Sequence, residues 1–115
     1  MIKKILIVRF SSIGDIVLTT PIVRCTNSQL KKTEIHFVTK SAFKEILHGN
    51  PNIDKLHTFE KDISEIYTEL KNEKFDFAWI DGRDRLRSAE AAIHSIKIGG
   101  FISVHDFWKR KKYER

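Results

Sequence analysis

The stretch Ile5-Leu6-Ile7-Val8-Arg9-Phe10-Ser11-Ser12-Ile13-Gly14-Asp15 decides the fold of this 115-residue chain. Its apolar run at residues 5–8 ends in a polar loop, and an amphipathic segment follows from Ile16 to about Leu30. This pattern is typical of a buried strand that enters a helix through a tight loop. In an open α/β sheet such a loop lies at the carboxyl end of its strand, where ligands bind.

This first loop carries the groups of an anion-binding site. Ser11, Ser12 and Gly14 would present backbone N–H groups at the start of the helix, a position that suits anions. Asp15 would project into the same crevice. We therefore expect the rest of the chain to support a site at this loop.

The remaining sequence alternates strand patterns with helix patterns, which predicts a parallel sheet with right-handed crossovers. We expect a single Rossmann-like, three-layer α/β domain over residues 1–108, followed by a basic tail at residues 109–115. Its sheet should have five parallel strands in the order 3-2-1-4-5. The predicted strands are residues 5–8, 34–39, 55–59, 75–80 and 101–104.

Two of the predicted helices have bounds that depend on a proline or on glycines. Either Thr20 caps a first helix that begins at Pro21, or that helix begins near Asp15 and kinks at the proline. The last predicted helix ends at Gly99-Gly100. It is predicted from one apolar stripe, formed by Leu86, Ala89, Ile93 and Ile96.

The loops after strands one and four would flank the point where the strand order reverses, which is the usual ligand site of such sheets. The second of these loops carries Arg83, Arg85 and Arg87. On a loop these guanidinium groups could converge on a phosphate, whereas on a solvated helix they would diverge. The two loops together predict a pocket for a polar, anionic substrate, with the carboxylate of Asp15 available as a base.

Composition limits the partners and the compartment. The net charge of +6 favours anionic partners, although much of the excess lies in the tail, where a solvated basic terminus is the alternative. The lone Cys25 excludes an internal disulfide, fits the cytoplasm, and should be a small buried side chain. We expect a cytoplasmic protein, at most touching the inner face of the membrane, without a specific nucleic-acid partner.

Neither a metal nor a cofactor is expected from the sequence. The scattered histidines show no ligand spacing, and the adjacent pair His105-Asp106 offers too few ligands. These histidines are His36, His48, His57 and His94. The aromatic residues Trp79, Phe101 and Phe107 are expected in the core.

Residues 1 to about 77 resemble the start of the heptosyltransferase-type glycosyltransferases of family 9. The resemblance is carried by residues 4–21, and it is supported by shorter matches at residues 34–40, 50–54 and 74–77. It implies the N-terminal half of a two-lobed GT-B fold, which binds the lipopolysaccharide-core acceptor. The acid that matches Asp15 is the proposed general base in that family. The nucleotide-sugar donor would bind a second lobe outside these residues, so we expect the isolated chain not to transfer sugar.

From Trp79 onward the chain is also similar to the end of small class I methyltransferase-like domains. The matching segments are residues 80–83, 98–100 and 104–106. The glycine-rich cofactor loop of such enzymes is missing after the first strand, since residues 11–15 do not have that pattern. From these two similarities we expect a fragment, a natural recombinant or an artificial chimera of two Rossmann-like pieces.

Two interpretations of the site remain open at this point. Asp15 is either the general base or a helix N-cap, and an N-cap carboxylate is a poor base because it accepts backbone hydrogen bonds. The chain is either a glycosyltransferase acceptor domain or a non-catalytic Rossmann-like module that binds an anionic ligand. A methyltransferase-like remnant is the third possibility.

Overall fold

The first strand along the chain lies at the centre of the sheet. The computed structural model describes residues 4–9, 13–30, 32–80 and 94–104. Its parallel sheet has the order β3-β2-β1-β4-β5, which confirms the predicted fold. The strands are β1 (Lys4–Val8), β2 (Glu34–Lys40), β3 (Lys55–Phe59), β4 (Phe75–Ile80) and β5 (Ile96–Val104).

Helices cover the sheet on both sides and produce three layers. The helices are α1 (Ile13–Gln29), α2 (Lys44–Leu47) after a 3-10 turn at Ser41–Phe43, and α3 (Tyr67–Lys71) after a 3-10 turn at Ile63–Ile66. One buried cluster joins α1 and α2 to alternate residues of β1, and another joins the α3 side to the intervening residues. Successive strand residues point to opposite faces, so these clusters form the two sides of the core. None of the helices in the described ranges has the length and hydropathy needed to span a bilayer.

Helix α1 continues through Pro21, so Thr20 lies inside the helix and does not cap it. Proline has no N–H, and the carbonyl of Val17 therefore loses its usual partner four residues on. The hydroxyl of Thr20 donates to that carbonyl oxygen at 2.7 Å. A threonine directly before the proline thus compensates part of the cost of placing proline inside the helix.

Strand β5 begins earlier than the sequence predicted. Ile96 and Gly99-Gly100 belong to the strand, so their assignment to a helix and its end was wrong. Phe75 of β4 pairs with Ile96 of β5, and Phe77 pairs with Phe101. The pairing is therefore irregular between these two positions, because β5 has more residues there than β4. Gly99 has φ +90° there, a conformation that glycine adopts readily. Residues 94 and 95 of that last predicted helix are helical, and its earlier residues lie outside the described ones.

Three expectations about burial also need correction or restriction. Phe101 is 66% exposed, not part of the core, because β5 makes its main contacts with β4 among the described elements. Cys25 is exposed on α1, not buried. Trp79 is partly buried against the α1-side cluster, as expected, and Phe107 lies outside the described residues.

We expect Gly100→Ala to destabilise the chain by about 1–3 kcal/mol, the usual cost of inserting a methyl group where there is no room. A Cβ at this position would lie 2.5 Å from Cγ2 of Ile96 and 2.7 Å from the carbonyl oxygen of Asp76. Urea unfolding followed by circular dichroism measures the change. Ser103→Ala, at an exposed position of the same strand, is the control. Equal stability of the two variants would contradict this account of β5.

Candidate functional site

The carboxyl ends of β1 and β4 lie side by side in the sheet. Val8, the last residue of β1, pairs with Ile80, the last residue of β4. β1 also pairs with β2 on its other side, so the strand order reverses between these neighbours. The chain therefore leaves both strands at the edge where the sequence predicted the site, and ligands bind at such a reversal in open α/β sheets.

The start of α1 lies directly after this edge. Gly14 and Asp15 are the second and third residues of the helix, which begins at Ile13. Asp15 is therefore in the first helical turn. First-turn N–H groups lack intrahelical partners and favour negative charge. The other predicted site residues lie outside the described residues: Ser11, Ser12, Arg83, Arg85 and Arg87.

Two further polar residues lie at this edge, and the sequence analysis did not single them out. Arg9 follows β1, is only 8% exposed, and donates its backbone N–H to the carbonyl oxygen of Val38 at 3.1 Å. Thr39 is fully buried near the end of β2, and its hydroxyl has no hydrogen-bond partner within the described ranges. An arginine directly after a buried apolar strand was the sequence signal for the first of them.

An apolar cleft lies elsewhere in the described part of the chain. It has a volume of about 300 Å³ and lies between α1 and the sheet. Its lining contains no charged side chain, so it does not match an anionic sugar. The lining residues are Ile5, Ile7, Ile22, Thr26, Leu30, Phe77 and Trp79.

A second polar region lies on the α3 side of the sheet, next to the turn before β4. His36 and His57, which the sequence left as scattered histidines, meet there with Glu73. Their contact follows from the β2–β3 register, in which Val38 pairs with His57. No spacing within the sequence indicates it.

The side chain of Glu73 connects three elements in this polar region. Its carboxylate accepts hydrogen bonds from Nζ of Lys4 at 2.9 Å and from Nζ of Lys55 at 3.0 Å. Nζ of Lys4 also donates to the backbone carbonyl of Glu73 at 2.8 Å. The bonds from Lys4 and then Lys55 lower the pKa of Glu73 from its ordinary 4.5 to about 2. β1, β3 and the turn before β4 are thereby linked through one ionised carboxylate.

Comparison with known proteins gives structural neighbours only. No protein-family model and no curated protein matches the sequence. The chain is similar to a family 9 glycosyl transferase from Veillonella parvula, with a TM-score of 0.69 and 23% identity over 78% of this chain and 29% of that protein. It is also similar to the E. coli heptosyltransferase WaaC with ADP, with a TM-score of 0.59 and 14% identity over 82% of this chain and 40% of that protein.

These neighbours confirm the fold that the family 9 resemblance implied. At such identities they show the fold alone, and the chain spans less than half the length of either protein. The methyltransferase-like similarity from Trp79 onward stays a prediction. The residues proposed to bind and to react also remain predictions.

We expect Glu73→Gln to destabilise the chain by about 1 kcal/mol at pH 7, because two partly exposed lysines lose a charged partner. A carboxylate with a depressed folded-state pKa stabilises fully above its unfolded value, here 4.5, and that stabilisation is lost as the pH falls towards 2. The wild-type advantage should therefore shrink between these pH values. Urea unfolding at a series of pH values measures it.

Glu60→Gln is the matched control, since Glu60 is an exposed carboxylate next to β3. It should change stability little at any pH. A Glu73→Gln variant as stable as wild type at pH 7 would contradict the role of this carboxylate.

Proposed function

We propose that this chain is the acceptor-binding lobe of a heptosyltransferase-like glycosyltransferase with a GT-B fold. Joined to a donor-binding lobe, it would transfer a sugar from a nucleotide-sugar to an anionic, lipid-linked acceptor of the lipopolysaccharide-core class. The observation that carries the proposal is the position of the motif at residues 4–21. That motif forms the central strand and the first turns of α1, at the edge where open α/β sheets bind ligands.

The structural neighbours support the type of protein. One is named a family 9 glycosyl transferase and the other a heptosyltransferase. The sequence resemblance points to the same family independently of the fold, through residues 4–21 and the shorter matches after them. The two observations agree on a glycosyltransferase-like fold, and the resemblance alone assigns the chain to the acceptor half.

The proposed reaction needs a base for the acceptor hydroxyl and stabilisation of the leaving diphosphate. The hydroxyl oxygen attacks the anomeric carbon of the donor sugar, and Asp15 accepts its proton. The bond between that carbon and the diphosphate oxygen breaks, and the nucleoside diphosphate leaves on the donor lobe. Asp15 lies in the first turn of α1, directly beyond the end of β1, which suits a group that must meet a substrate at this edge.

Binding of an anionic acceptor needs positive groups around this base. The backbone N–H groups at the start of α1, together with Ser11, Ser12 and Gly14, are the proposed donors on one side. Arg83, Arg85 and Arg87 are the proposed cations on the other side, since guanidinium groups suit phosphate and carboxylate. Arg9, buried at the same edge, is a further proposed cation of this site. No cofactor is needed for this chemistry.

We expect the 115-residue chain to bind a deacylated lipopolysaccharide-core oligosaccharide, with amide NMR shifts concentrated at residues 9–16 and 80–87. Arg83→Ala, Arg85→Ala and Arg87→Ala should each weaken binding about tenfold, as removal of a charge-assisted hydrogen bond does. Arg24→Ala, at an exposed position of α1, should leave it unchanged. Shifts confined to the apolar cleft, or equal effects of all four variants, would contradict the proposed site.

We expect Asp15→Asn, in a polypeptide that also carries the donor lobe, to lower the transfer rate about a hundredfold or more, because an amide cannot accept the proton. Acceptor affinity and melting temperature should change little. Glu45→Gln removes one exposed carboxylate on α2 and should keep the full rate. A folded Asp15→Asn variant that binds acceptor and transfers at nearly the wild-type rate would exclude the base assignment. A large loss of melting temperature would show a structural role.

A further inference from the structure

Two histidine side chains are buried side by side on the β2 and β3 strands, on the side of the sheet that α3 covers. His36 in β2 and His57 in β3 have side chains with no exposed area. Their ring planes are within 16° of parallel, and Nδ1 of His36 lies 2.8 Å from Nε2 of His57. The edge of His36 also packs against the ring of Phe75. The short distance means that a proton or a cation must lie between these two nitrogens.

The outward nitrogens of the pair face carboxylates. Nδ1 of His57 forms a short hydrogen bond with Oε2 of Glu69. Nε2 of His36 lies 3.1 Å from Oε1 of Glu34, at ion-pair distance although not in hydrogen-bond alignment. A carboxylate accepts but does not donate, so a proton is favoured on each outward nitrogen. A histidine with a carboxylate on its outer nitrogen is the usual arrangement of a metal-binding histidine.

When both rings are neutral, the two histidines carry one proton too few to satisfy all of their contacts. With protons on both outward nitrogens, two lone pairs face each other at 2.8 Å. Moving the His36 proton inward repairs that contact but leaves a bare Nε2 beside the negative oxygen of Glu34. A second proton on His36 would satisfy the same contacts but would leave Glu73 outside the pair. A metal cation between the inner nitrogens satisfies every contact with both rings neutral.

Glu73 completes a set of three ligands. One donor atom from each of His36, His57 and Glu73 can be chosen so that all lie within 4.8 Å of one another. The carboxylate of Glu73 accepts hydrogen bonds from Nζ of Lys4 and Nζ of Lys55, which favour its charged form. Each carboxylate oxygen has two lone-pair positions, so Glu73 can coordinate a cation and keep its lysine hydrogen bonds.

We propose that His36, His57 and Glu73 bind one divalent transition-metal ion, with water as the remaining ligand. Two imidazoles and a carboxylate are a donor set that suits Zn²⁺. Zinc holds its nitrogen ligands at about 2.0–2.1 Å in a tetrahedral arrangement, so the two rings must both separate and turn before their inner nitrogens point at one ion. The ion connects β2, β3 and the turn before β4, and its role is structural.

The full 115-residue chain is the sample, stripped of metal with EDTA and studied at pH 7.5. A Cys25→Ser background removes the exposed thiol, which could bind zinc on its own. Zn²⁺ alone is titrated by calorimetry, and Co²⁺ alone is added as a spectroscopic probe of the coordination geometry. We expect one Zn²⁺ per chain, a Co²⁺ visible spectrum of a four-coordinate site, and a rise in melting temperature with Zn²⁺.

Variants locate the site. His57→Gln and Glu73→Gln should each weaken Zn²⁺ binding at least tenfold, whereas His48→Gln, at an exposed histidine, should leave it unchanged. Circular dichroism without metal shows whether each variant is folded, and the Co²⁺ spectrum of the wild-type ligand set tests the proposal even if one variant unfolds. Absence of Zn²⁺ binding by the folded chain, as for a pair that holds only a proton, would overturn the proposal. Binding that persists in folded His57→Gln would also overturn it.

Discussion

The burial of β1 on both faces determines where every polar function of this chain can lie. Residues 5–8 are at most 4% exposed, and the strand is hydrogen-bonded to a neighbour on each side. A polar side chain within it would lose its hydration without a partner, which costs several kilocalories per mole. Polar groups are therefore displaced to its two ends, where Lys4 precedes the apolar run and Arg9 follows it. The proposed acceptor site lies next to Arg9, and Lys4 binds Glu73 of the histidine cluster.

The order of the sheet was predictable because its determinants are local or general. Apolar runs mark the strands, helical stripes mark the crossovers, and the handedness of crossovers leaves few possible orders. The error at β5 had a different origin. Ile96 fits both the spacing of a helix and the end of a strand, and Gly99-Gly100 resembles a helix stop as much as a strand irregularity. Only the pairing with Phe75 and Phe77 distinguishes these alternatives, and that pairing is absent from the local pattern.

The two polar regions differ in how far the sequence could indicate them. Asp15 was found because a strand, a loop and a helix start follow one another in the chain, so their spatial order is their sequence order. His36 and His57 are 21 residues apart, and their contact depends on the register of β2 against β3. A shift of that register by one residue would move one ring to the other face of the sheet. Sequence spacing carries no signal for such a pair.

The separation of the two regions limits what the histidine cluster can do for the proposed reaction. From Lys4 to Arg9 the chain advances five residues, roughly 17 Å at the rise of a β-strand, so Lys4 and the Glu73 that it binds cannot touch a substrate at the carboxyl edge. Lys4 nevertheless binds Glu73 with its side chain and Asp76 with its backbone N–H. An ion held by Glu73 and the two histidines would therefore fix β1 against β3 and β4 at one end. At the carboxyl end of β1 this ion would affect only the position of the start of α1. It would therefore stabilise the proposed site and would take no part in the reaction.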